Sequence, residues 1–405
     1  MNVPGKATEK TLRPHDERMV MPTPFAPRVR EMCQTNDWYV WAGYTTPNTF
    51  EEVGLEYFSV RNSTGVFDLT PMTKYRITGP DAGAYLNRLM VRDVRKIKPG
   101  RVGYTVWCTD AGMVHDDGTI FHLAEGDYRL CAQERCMDWL QWSALGFDVN
   151  IVDETADVAA LAVQGPTSCA TLRRMGLDGL ENLKPFGIAT FDFNGTELTV
   201  SRTGYTGDLG YELWLDPEQA VPLWDALFEA GRELLIRPIG SEALGIARIE
   251  AGFIMAWQDF VPAEQVVRHG RARSPFELGL DWLVDFDKGP FTGRNALLRE
   301  KQRGSRYRFV VLDVEGNKPA EHSFILDKHG TVIGHVTSAA WCPTAKSNIA
   351  LASMKMPWGR DDDEMYAEIY YNRELHWTRL LARCRVRKEP VFNPARRRAT
   401  PAPNV

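Results

Sequence analysis

Two hydrophobic periods divide the chain. Short runs rich in β-branched, aromatic and other apolar residues over 73–78, 103–108 and 128–132 predict strands there. A continuous apolar run over 159–166, ending Val163-Gln164-Gly165-Pro166, predicts a buried strand. Residues 191–200 alternate about Asn194-Gly195, a dipeptide suited to a tight turn, and predict a β-hairpin. A period near that of the α-helix places helices over 81–90, 136–145, 216–236 and 241–252, with Ala84, Leu86 and Leu89 on one face of the first. Pro166 suits the start of another helix, and a short helix is expected to end at Gly65. From 306 to 387 only strand signals recur, at 309–314, 331–337, 366–371 and 378–386. Mixed elements followed by strands alone predict an α+β fold with a C-terminal β-barrel.

Punctuation sets the boundaries. Residues 1–35 carry Pro14, Pro22, Pro24 and Pro27 among basic residues and read as an extended arm. The main α+β region is expected over 36–300 and the barrel over 301–388. Residues 389–405, with Arg396-Arg397-Arg398 among prolines and small residues, read as a loose tail.

Composition narrows the class. A chain of 405 residues, 44% apolar and 25% charged, is long enough for two or three globular domains. A net charge of −5 gives no electrostatic footprint for nucleic acid. No run of apolar residues is long enough to span a bilayer, so no membrane partner is expected. The seven cysteines are scattered and odd in number, which indicates neither a metal site nor a disulfide framework. A cytoplasmic location with reduced thiols is expected.

The chemistry concentrates in a few stretches. Residues 201–212 read Ser-Arg-Thr-Gly-Tyr-Thr-Gly-Asp-Leu-Gly-Tyr-Glu. Gly204, Gly207 and Gly210 permit close approach by a backbone or a flat ligand, and Glu212 lies at the start of a strand. A carboxylate so placed can accept paired hydrogen bonds from an amidine-like edge, although a structural turn with a surface glutamate fits the local pattern too. The run Trp38-Tyr39-Val40-Trp41-Ala42-Gly43-Tyr44 is either a core strand or an aromatic pocket wall that includes Trp41 and Tyr44. Residues 103–108 lead through a turn at Thr109-Asp110-Ala111-Gly112 to His115-Asp116-Asp117-Gly118. By itself the Asp116-Asp117-Gly118 triplet suits a hairpin turn. His115 titrates near neutrality and is a candidate proton handler.

Taken in order, several strings resemble one family. They are Gly65-Val66-Phe67-Asp68, the Gln164-Gly165-Pro166 string, the 204–212 run, Arg248-Ile249-Glu250-Ala251-Gly252, Gly279-Leu280-Asp281-Trp282 and Lys288 to Arg294. Together they resemble the folate-binding T-protein (aminomethyltransferase) family over about 43–387. The resemblance implies a three-domain clover-leaf with two intertwined subdomains before the barrel, and tetrahydrofolate as cofactor. It implies that Glu212 grips the pterin, that Asp116 is the catalytic aspartate, and that Tyr104, Tyr205 and Arg248 lie near the folate. Thr70-Pro71-Met72 and Trp257-Gln258-Asp259-Phe260 depart from the strings usual in the glycine-cleavage enzymes, and Trp257 is expected in the substrate pocket. The leading expectation is therefore a tetrahydrofolate-dependent demethylase of a small methoxylated aromatic, with no obligatory lipoyl carrier. The alternatives are a formaldehyde-releasing lyase, a glycine-cleavage aminomethyltransferase and a non-catalytic folate-binding protein.

Overall fold

The computed structural model describes residues 20–401. The chain opens with β1 (Met21–Pro22), β2 (Trp38–Trp41) and β3 (Tyr44–Pro47), a small sheet in the order β1-β3-β2. The helix Ala26–Met32 carries Pro27 in its first turn, which the fixed φ of proline suits. Part of the arm expected to be extended is therefore helical. Arg28 ties it to Asp225 through hydrogen bonds of 2.6 and 2.8 Å. Residues 1–19 lie outside the described residues.

The helix Val53–Asn62 is capped by Glu52, which accepts the Leu55 N–H at 2.8 Å. It ends before Gly65, because Gly65 instead opens β4 (Gly65–Asp68). The chain then leaves for a second sheet. Its strands are β5 (Thr73–Thr78), β6 (Arg101–Cys108), β7 (Val114–Ala124), β8 (Asp127–Ala132) and β9 (Asn150–Asp153), in the order β6-β7-β8-β5-β9. It returns as β10 (Ala159–Gln164), β11 (Ile188–Phe193), β12 (Thr196–Ser201), β13 (Gly210–Leu215) and β14 (Arg237–Pro238). These join β4 in the order β11-β12-β13-β10-β4-β14. One sheet is thus inserted in sequence within the other. Asn194 (φ 55°) and Gly195 (φ 78°) form the hairpin turn between β11 and β12, as expected of that dipeptide. The helix expected over 216–236 is α-helical only over Ala220–Ala230. It is followed by a 3-10 turn, and Leu235 has a left-handed φ of 57°.

Six strands close the barrel: β15 (Tyr307–Val314), β16 (Phe324–Asp327), β17 (Val332–Cys342), β18 (Ser347–Lys355), β19 (Met365–Arg373) and β20 (His376–Arg387). Their inward residues, among them Leu312, Ile325, Ala350, Met354 and Ala367, are fully buried. The fold class is α+β with a terminal barrel. Residues 389–401, expected to be a loose tail, turn back onto the helix Ser241–Glu250, where Phe392 donates its N–H to the Glu250 carbonyl at 3.0 Å.

Candidate functional site

Glu212 lies in the middle of a sheet, on β13 between Ala162 of β10 and Ser201 of β12. Gly204 and Gly210 have a packing reason. A Cβ at either would lie 2.0 or 2.2 Å from Oε1 of Gln164. Gln164 is fully buried, donates to the carbonyls of Thr203 and Tyr211, and accepts from the Thr206 hydroxyl. The glycine-rich run therefore wraps a buried amide and thereby fixes where Glu212 projects. Oε2 of Glu212 accepts from Thr203 Oγ1 at 2.5 Å and Ser201 Oγ at 3.4 Å. Among the described residues no hydrogen bond engages Oε1. Burial pushes the Glu212 pKa up to about 7, and the two hydroxyls only partly offset it.

A second carboxylate comes from the other sheet. In β7 a bulge at His115 shifts the register, so Trp107 pairs with Asp116 but Cys108 with Val114. Tyr104 pairs with Thr119 and Val106 with Asp117, which puts Tyr104, Thr119 and Asp117 on one face. Tyr104 donates its hydroxyl to Asp117 Oδ2 at 2.8 Å. Burial raises the Asp117 pKa to about 6, with the Tyr104 hydroxyl acting against it. Burial, then the adjacent Asp117 charge, holds the Tyr104 phenol well above its usual range. Asp116 takes the opposite face, shared with Trp107. It is 2% exposed, and burial followed by repulsion from Asp117 raises its pKa strongly.

The two carboxylates share one cavity of about 1250 Å³. Residues of both sheets, of the helix Ser241–Glu250 and of the barrel line it. Arg248, from that helix, donates to Asp259 at 2.5 Å and to Ser338 of the barrel at 2.7 Å. Asp259 also accepts from Thr337 and Ser338, so one buried carboxylate joins the cavity wall to the barrel. Aromatic walls complete the space. Tyr104 stacks with Trp282 at 6.4 Å, Tyr205 with Phe253 at 5.7 Å, and Trp41 leans on Phe67 at 6.2 Å. The Tyr205 hydroxyl donates to the Ile254 carbonyl.

The cavity thus gathers Glu212, Tyr104, Tyr205, Arg248 and Trp41 from the residues singled out in the sequence. The other four lie off its lining. Asp116 is on the face of β7 that turns away from the cavity. His115 is 8% exposed and stacked 4.6 Å from Trp139, and burial lowers its pKa to about 4, so it is neutral at physiological pH. Tyr44 is buried in the small sheet, and Trp257 is 46% exposed with a left-handed φ of 68°. Asp117 and Trp282 also line the cavity, and the sequence reading gives neither of them a place in the pocket. The spacing of Tyr104 and Asp117 on two facing strands was a usable signal for the first, but only with the bulge known.

A barrel-bearing α+β chain with two paired-off carboxylates in an aromatic cavity defines a class of small-molecule enzyme sites. Comparison with known proteins identifies the family. The model of the GCVT N-terminal domain matches residues 29–288, and that of the glycine cleavage T-protein C-terminal barrel domain matches residues 307–386. The chain belongs to the glycine cleavage T-protein family. It is 32% identical over 317 residues to an aminomethyltransferase of Halothermothrix orenii, covering 77% of this chain and 86% of that one. It is 32% identical over 358 residues to one of a Geobacillus species, covering 87% and 95%. The glycine cleavage system aminomethyltransferase T of Bartonella henselae superposes with a TM-score of 0.80 at 24% identity, covering 92% of this chain and 98% of that one. Tetrahydrofolate is the one-carbon acceptor of this family.

Proposed function

We propose that this chain is a tetrahydrofolate-dependent one-carbon transferase whose donor is an aminomethyl group. The observation that carries this reading is the meeting of Glu212 and the Tyr104–Asp117 pair in one cavity. The relatives are named aminomethyltransferases, which favours this donor over the methoxylated aromatic expected from the sequence.

The residues fit the cofactor. Glu212 presents an unengaged carboxylate oxygen to the cavity, suited to the donor edge of a pterin, and Tyr104, Tyr205, Phe253 and Trp282 offer faces for a flat ring. Tetrahydrofolate, when bound, supplies the amine that accepts the carbon. Asp117 is the proposed catalytic carboxylate, in place of Asp116. With a pKa of about 6 it is ionised at neutral pH yet close enough to neutrality to take a proton. Its charge also stabilises positive charge developing at a neighbouring amine carbon. Tyr104 aims the carboxylate by its hydrogen bond, and the apolar walls exclude water.

The demethylase reading keeps one observation in its favour, the aromatic lining of Trp41, Phe67, Phe186 and Trp282. Calorimetric titration with tetrahydrofolate tests both readings together. Micromolar binding that Glu212→Ala abolishes is expected, and absence of binding to the parent chain would remove the folate reading. Turnover then separates donors: release of ammonia with 5,10-methylenetetrahydrofolate indicates an aminomethyl donor, whereas 5-methyltetrahydrofolate from a methoxybenzoate indicates demethylation. Asp117→Asn should lower kcat by roughly a hundredfold or more, while Asp116→Asn should leave most of it. The opposite order would return the catalytic role to Asp116.

A further inference from the structure

Beyond Arg387 the chain runs past the end of the barrel-domain match at residue 386 and crosses back over the cavity. Three contacts fasten this segment. The Phe392 ring lies 3.8 Å beneath the Arg61 guanidinium, Arg396 grips Asp208 with bonds of 2.6 and 2.7 Å, and Arg202 donates to the Ala399 carbonyl at 2.5 Å. Asp208 belongs to the same loop as Tyr205, so the segment is anchored to the loop that leads into Glu212. Lys388, Glu389, Pro390, Asn393, Arg397 and Arg398 line the cavity.

The cations of this segment are not equivalent. Lys388 is paired with Asp361 at 2.6 Å, and Arg396 is taken by Asp208. The side chains of Arg397 and Arg398 make no hydrogen bond or ion pair among the described residues, and Glu389 is paired with neither. Arg397 is half-buried and sits 5.0 Å from the Phe253 ring centroid, next to the Phe253–Tyr205 stack. Burial, then the charge of Arg398, lowers its pKa, which marks a guanidinium held without its counter-charge. Two neighbouring unpaired guanidinium groups on a cavity wall suit a carboxylate, which accepts from them in parallel.

We propose that residues 388–398 form a strap across the cavity rim and that Arg397 and Arg398 on it bind a carboxylate of the ligand held inside. Two sources carry that chemistry: the glutamyl end of a folate, which rests on the function proposed above, and a carboxylate on a separate small molecule. Calorimetric titrations with tetrahydrofolate, with tetrahydropteroate (which lacks the glutamate) and with glutarate distinguish them. If the folate is the source, the parent chain binds tetrahydrofolate roughly tenfold more tightly than tetrahydropteroate, and R397Q/R398Q abolishes that difference. If a separate molecule is the source, the two pteridines bind alike, and glutarate binds the parent chain but not the double variant. Arg396→Gln, which unlatches the strap from Asp208 yet keeps both cations, should reduce the same difference. The thermal midpoint of each variant checks that it is folded. A parent chain that binds no folate while glutarate binding is still lost in R397Q/R398Q removes the folate reading and keeps the subsite. Identical behaviour of parent and double variant toward all three ligands overturns the strap proposal.

Discussion

Glu212 and Asp117 are carboxylates that burial makes reluctant to ionise, and this reluctance bears on stability. An ordinary glutamate in an unfolded chain titrates near pH ~4.3. With its folded pKa raised to about 7, Glu212 holds a proton in the folded state that the unfolded state has lost over this interval. Its stabilising contribution is complete below about pH 4.3 and disappears as pH rises through about 7. Glu212→Gln should therefore match the parent near pH 4 but be more stable at pH 8 by about 1–2 kcal/mol, discounted because the group faces a hydrated cavity. Urea unfolding at the two pH values measures this. Folate affinity of the parent should fall as pH drops below about 7, since the paired donors need the ionised form. The pH dependence should vanish in Glu212→Gln. At this scale the sequence made the place of Glu212 on the cavity legible, because that place is set by residues within one hairpin and loop. A single bulge at His115 turns Asp117 to the cavity and Asp116 to the opposite face, and in a strand one residue is the difference between two faces.

The elements behave as the hydrophobic periods foretell where neighbours in sequence are neighbours in space. The strand expected over 73–78 is β5, residue for residue, and the Asn194-Gly195 turn joins β11 to β12. The departures come where a distant strand decides. Asp116-Asp117-Gly118, read locally as a turn, lies within an eleven-residue strand, because β6 and β8 pair with it on either side. The turn is instead made at Gly112, with its φ of 75°. Gly118 shows how closely β7 and β8 approach: a Cβ there would lie 2.1 Å from the Cys131 carbonyl oxygen. Backbone cannot yield as a side-chain tip does. Gly118→Ala should destabilise the protein by about 1–3 kcal/mol, read from denaturant unfolding. It should also weaken turnover by shifting Asp117, its immediate neighbour, against Tyr104.

For the whole molecule, stability and site share the same buried ions. Arg61 and Glu250 pair at 2.7 Å with almost no exposure, and the Tyr57 hydroxyl adds a 2.6 Å bond to Glu250. Arg248 and Asp259 form the second such pair, and Asp259 carries the tie to Thr337 and Ser338 of the barrel. Removing one partner of a buried pair leaves an uncompensated charge. Asp259→Ala should therefore destabilise by about 3–5 kcal/mol. Because it also removes two of the hydrogen bonds that tie the rest of the chain to the barrel, calorimetry should show the barrel melting apart from the rest, where the parent melts in one step. A single parent-like transition would refute this coupling. The ties of Glu250 to Arg61 and Tyr57, and of Asp259 to the barrel, were not visible in the chain, since they join residues far apart in sequence whose meeting depends on how whole units dock.

The sequence by itself determined the class of fold, the terminal barrel and the family, and it singled out five residues that line the cavity: Glu212, Tyr104, Tyr205, Arg248 and Trp41. All of these rest on local periodicity and on short ordered motifs. Tertiary structure alone decided that Asp117 faces the cavity, that His115 is a neutral ring stacked on a tryptophan, and that Gly204 and Gly210 yield to Gln164. It also decided that a tail of loose composition lies as a strap over the site. The reason is common to all four. Burial, strand face and ion pairing depend on which distant surfaces come together, and local composition carries no record of that.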